Sequence, residues 1–164
     1  MDATERRRLV IRTLRLLEEK GRISLEKNFM QHGRCSVYRH SVAVARTSLA
    51  MAERLGIRVD AESLVRGALL HDYFLYDWHT GYPGPPCTHG FTHPFIALRK
   101  ACEDFALTRR ERDIIARHMF PLVPIPPATR EGWLVCLADK LCALRETFSG
   151  RGGGNGRAYR RCPI

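Results

Sequence analysis

Apolar residues recur at three- and four-residue spacing along most of this chain, and Gly, Pro or a capping residue separates one run from the next. Residues 4–20 carry Leu9, Val10, Leu14, Leu16 and Leu17 between charges, which predicts an amphipathic helix closed by Gly21. Ser24 is expected to cap a second short helix running through Phe29 and Met30, with Gly33 as its stop. From Ser36 to Leu55 the pattern is strongly helical. Val37, Val44, Ala45, Leu49, Ala52 and Leu55 face inward, and Gly56 follows as a terminator. Asp60 is suited to cap a helix from Ala61 to about Tyr73, with Leu64, Val65, Ala68 and Leu69 as its apolar positions.

From Asp77 to Thr92 the chain is dense in Gly and Pro and reads as a long loop, of the kind that often forms lids or binding surfaces. A helix is then expected with Thr92 or His93 as cap and Pro94 in its first turn, burying Phe95, Leu98, Ala101, Cys102 and Phe105. Thr108 and Glu111 fit a capping box for a helix carrying Ile114, Ile115 and His118, stopped before Pro121. Four prolines between 121 and 127 dictate an extended connector. Thr129 opens the last long helix, with Trp133, Leu134, Leu137, Leu141 and Leu144. No strand alternation or internal repeat is visible. The expectation is an all-α domain over residues 1–150, an irregular bundle of six or seven helices, followed by a basic Gly-rich flexible tail at 151–164.

Composition changes this picture only in part. At 164 residues the chain is most simply one domain with a core large enough to need no staples. The six cysteines form no CxxC pair, and Cys35, Cys102, Cys136 and Cys142 fall in or beside helical patterns, so reduced buried thiols are expected. The net charge of +10 favours an anionic ligand, although much of it sits in Arg6–Arg8 and in four arginines of the tail. There is no RNA-binding signature or zinc-finger spacing, so nothing indicates nucleic acid. No signal peptide or membrane span is visible, and a cytoplasmic protein is expected.

The candidate chemistry centres on Gly67-Ala68-Leu69-Leu70-His71-Asp72, where an apolar run delivers two strong metal ligands into an interior. A buried Asp needs a cation or an ion-pair partner. His40, His93, His118 and Asp139 lie on or beside other apolar faces and supply matching ligands. Any one of them alone would more often be a hydrogen-bonded core or surface residue. Their joint placement on separate predicted helices favours a metal centre. Imidazole and carboxylate together suit Fe, Mn or Zn, with Ni, Co and Mg as alternatives, and so many histidines make hard Mg²⁺ the less favoured. Such ions polarise a phosphoryl oxygen and activate water, which fits a phosphorylated substrate.

The order His40, His71-Asp72, His93, His118, Asp139 resembles the HD-domain metal-dependent phosphohydrolase superfamily over about residues 30–148. The resemblance implies a hydrolase of the phosphatase or phosphodiesterase class. It also implies that His40, His71, Asp72 and Asp139 hold a first metal, that His93 and His118 hold a second, and that Asp72 bridges the two. Hydroxide held between the ions would attack a phosphomonoester or phosphoanhydride of a small nucleotide-like substrate.

The HD-GYP subgroup carries a second His where this chain has Met119, and its Gly-Tyr-Pro follows that histidine. Here Gly81-Tyr82-Pro83 precedes His93 and reads as an ordinary turn, which places the chain nearer small stand-alone HD proteins. Lys140 is a candidate catalytic contact to phosphate or a solvent-facing lysine, and Arg39 is similar. His89 is the replacement if His93 is not the ligand, His79 shares its loop, and Asp77 reads as a turn residue. Two other classes share the ligand set: a metal- or nucleotide-binding sensor without catalysis, and a di-iron oxygenase. A sensor would bind metal or nucleotide without turnover across a phosphatase panel, and an oxygenase would consume oxygen with a phosphonate or polyol substrate.

Overall fold

Ser36 and Asp60 start the two helices on which the fold is built. Each has an extended backbone and a side-chain oxygen that accepts an orphan amide of the first turn, from Arg39 at 3.4 Å and from Ser63 at 3.2 Å. The computed structural model describes residues 1–32, 35–78, 80 and 88–151. In chain order it contains α1 (Ala3–Lys20), a 3-10 helix (Ile23–Asn28), β1 (Met30–His32), β2 (Cys35–Ser36), α2 (Val37–Arg54), α3 (Ala61–Leu70), α4 (His89–Asp104), α5 (Arg109–Arg117) and α6 (Arg130–Arg151). The protein is an all-α bundle with one two-stranded antiparallel ribbon.

Helix α2 packs against both α3 and α6, α3 against α5, and α5 against α4 and α6. Val44, Ala45, Leu49, Leu64, Leu69, Ile114 and Val135 form the core between them. Burying each large aliphatic side chain contributes roughly 1.5–3 kcal/mol before entropy is counted. Gly67 brings α3 against α5. A Cβ there would stand 2.5 Å from Ile114 Cδ1, so these two helices touch closely just before each ends.

Several expectations need correction. Residues 30–32 form a strand rather than the end of a helix, and Ser24 donates to Glu18 instead of capping. A three-residue strand is too short for alternation to register. Helix α3 ends at Leu70, so His71 is its C-cap and Asp72 lies in the turn beyond, where the amide of Phe74 bonds the Asp72 carbonyl at 2.8 Å. Helix α4 begins at His89, which leaves Pro94 inside it. Thr92 Oγ1 donates back to the Thr88 carbonyl at 3.1 Å rather than capping a later start. The α4 stripe is rotated: Ala97 and Ala101 are buried, whereas Phe95 and Cys102 are exposed.

On α6, Leu134, Val135, Ala138 and Cys142 face the core, while Trp133, Leu137, Leu141 and Leu144 are exposed. This helix carries apolar residues on its exposed side as well as its buried one, so periodicity cannot choose its face. Leu16 and Leu55 are also exposed. The expected positions Gly33, His79, Gly81-Tyr82-Pro83, Cys87 and the tail beyond Arg151 lie outside the described residues.

Candidate metal centre

Three histidines are aimed by the same local device. His71 caps α3 and His118 caps α5, both with helical backbone angles. Their Nδ1 atoms stand 2.8 Å from the Ala68 carbonyl and 2.9 Å from the Ile115 carbonyl, each three residues back. On α4, His93 Nδ1 meets the His89 carbonyl at 3.0 Å. A carbonyl only accepts, so each Nδ1 carries the hydrogen and each Nε2 is left as a ligand atom. The C-terminal ends of α3 and α5, both negative by the helix dipole, converge on the same point.

The Nε2 atoms of His93 and His118 are 3.0 Å apart. Two lone pairs at that distance repel unless a proton or a cation stands beside them. Asp72, 1% exposed, lies between two sets of histidines. Its Oδ2 is 3.3 Å from His71 Nε2, while its Oδ1 is 3.2 Å from His93 Nε2 and 3.6 Å from His118 Nε2. His40, His71 and Asp72 form one group able to hold a metal ion and Asp72, His93 and His118 a second, the ligand atoms in each lying within 4.8 Å of one another. Asp139 on α6 closes the first group, its Oδ1 3.0 Å from His40 Nε2 and 3.7 Å from His71 Nε2. His71 Nε2 and Asp72 Oδ1 are buried without a hydrogen-bond partner, as expected of atoms arranged for a cation. This donor set fits a divalent transition metal.

Protons stand in for part of that cationic charge. Burial alone would pull His40 down, yet its bonds to Asp139 and Glu146 raise it to about 9. Burial also opposes charge on His71, but Asp72 and Asp139 hold it well above the ordinary histidine value. Burial would push both acids up. Instead His71 and His93 hold Asp72, and His40 and His71 hold Asp139, well below the usual carboxylate range. Burial, with His71 and His93 alongside, lowers His118 to about 3, which keeps its ring neutral and its lone pair available.

A cavity of about 620 Å³ opens onto the second group, lined by Asp72, His93, His118 and Asp139 on one side and by Trp78, Met119 and Leu122 among others. His40 and His71 lie behind it. Lys140 lines the cavity as well, its Nζ donating to the His118 carbonyl at 3.0 Å and to Cys136. The family model for the HD domain matches residues 37–144, about two thirds of the chain. The chain belongs to the HD-domain family. HD domains bind divalent metals and are generally metal-dependent hydrolases. No curated protein and no solved structure matches the chain.

Within the HD domain all six expected ligand residues come together. His89 does not join them: its ring stacks on Trp78 at 5.1 Å and on His93 at 4.8 Å, and it meets the Tyr76 hydroxyl. The Asp77 carbonyl accepts the Thr80 amide in a turn, and Arg39 is exposed. Three residues that support the HD site escape a reading of the sequence alone. Glu146 accepts His40 Nδ1 at 2.9 Å, forming a carboxylate–histidine pair behind the ligand atom. Tyr73, fully buried, takes the Arg22 amide at 2.7 Å and donates to Asp104 at 2.5 Å, which pins the turn carrying Asp72. Gln31 donates to Asp72. Of the three, Glu146 alone stands at a telling spacing, seven residues after Asp139 and so on the same face of α6.

Proposed function

We propose that this HD-domain protein is a metal-dependent phosphohydrolase acting on a phosphomonoester or phosphoanhydride of a small nucleotide-like substrate. The supporting observation is Asp72, which turns one carboxylate oxygen toward each histidine group. In this reading His40, His71, Asp72 and Asp139 hold one ion and Asp72, His93 and His118 hold another, with Fe or Mn the best match to the donors. Divalent cations bound there would polarise a phosphoryl oxygen and lower the pKa of water toward neutrality.

The chain's own groups do the rest. His93, His118 and Lys140 face the cavity, where Lys140 adds a fixed positive charge to receive phosphate. Its tether to the His118 carbonyl couples that charge to a ligand's position. The apolar wall of Trp78, Met119 and Leu122 suits a flat organic group rather than free phosphate. His40 and His71 have no exposure, and they keep bulk water away from the inner side of the site.

The test is hydrolysis across a panel of nucleotides and dinucleoside polyphosphates by protein carrying Mn²⁺ or Fe²⁺. Replacing Asp72 with Ala should abolish turnover while the helical CD spectrum persists. Turnover that survives in the variant would refute the mechanism. Bound metal without turnover on any substrate would favour the sensor reading.

A further inference from the structure

Glu26 and Gln31 lie ahead of the matched residues 37–144, on the 3-10 helix and on β1. Gln31 is 8% exposed, and its Nε2 donates to Asp72 Oδ2 at 2.5 Å. The carboxylate only accepts, which fixes the amide orientation. Gln31 also lines the cavity, and its Oε1 is buried with no hydrogen-bond partner. Glu26 is 1% exposed, and neither of its oxygens has a partner. Burial pushes the Glu26 carboxyl well above the usual carboxylate range, which favours its neutral form. The charged groups that act on Glu26 are Asp72, which repels it, and His71. Neither supplies it with a hydrogen bond.

We propose that the segment ahead of the HD domain builds one wall of the metal centre. In it Gln31 positions the Asp72 carboxylate. Gln31 and His71 share Asp72 Oδ2, which leaves Oδ1 to the His93 and His118 side. Gln31 is therefore a positioning residue for the bridging arrangement, and this inference rests on the metal reading above.

The experiment measures Mn²⁺ affinity and melting temperature, with and without Mn²⁺, for wild type, Q31M and D72A, each checked by far-UV CD. Q31M should weaken Mn²⁺ binding by about ten- to a hundredfold, the range seen when groups supporting metal ligands are removed. It should also shrink the rise in melting temperature produced by Mn²⁺. Wild-type affinity and an unchanged metal-induced shift in Q31M, with D72A losing Mn²⁺, would overturn the role of this segment alone. Mn²⁺ binding in D72A equal to wild type would overturn the metal reading and this inference together.

Discussion

At the scale of single residues, the site is a set of ring nitrogens whose direction is dictated by backbone carbonyls. Ala68, His89 and Ile115 each take one imidazole N–H, so His71, His93 and His118 need no further side chain to orient them. On the proposed ligand set, replacing His118 with Ala should lower bound Mn²⁺ from about two ions per chain to about one, measured by elemental analysis. Two ions retained would remove His118 from the set.

The raised pKa of His40 gives a second expectation. Its folded value, about 9, exceeds the unfolded value of 6.5. Its contribution to the stability of the metal-free protein is therefore fully present below 6.5 and lost as pH rises through 9. A cation bound at Nε2 displaces that proton. Metal affinity should fall as pH is lowered below 9, and calorimetry at pH 7.5 in buffers of different ionisation enthalpy should show at least one proton released.

At the scale of elements, the separation of α3 and α5 fixes the spacing between His71-Asp72 and His118. A Cβ at Gly67 would lie 2.5 Å from Ile114 Cδ1 and 3.0 Å from Ile114 Cβ, and Ile114 is fully buried. Gly67→Ala should destabilise by about 1–3 kcal/mol through overpacking, read from chemical denaturation, and should weaken metal binding as well. A variant as stable as wild type would show that α3 and α5 are free to move apart. The helices α2, α3 and α5 are legible in the sequence because their caps and apolar spacing agree. Helices α4 and α6 are less so: Pro94 suggests a helix start it does not mark, and α6 is apolar on both faces.

At the scale of the whole molecule, the six candidate ligands were readable because each is a strong metal-binding residue type beside an apolar run. Their supports were not. Gln31 and Tyr73 reach the site through contacts 41 and 31 residues away in sequence, and no local pattern announces such pairs. Among the described residues no helix is long and apolar enough to cross a membrane.

The two histidine groups are not equally placed. His93 and His118 line the open cavity, whereas His40 and His71 sit behind it at 0% exposure, and Tyr73 pins the turn that follows His71. On the proposed ligand set, the ions would therefore leave in sequence, as from a corridor with one door. A strong chelator mixed rapidly with the loaded protein should strip metal in two phases, the faster from the cavity side. His118→Ala should abolish the fast phase and leave the slow one, and a single phase in the wild type would mean that both ions share one exit step.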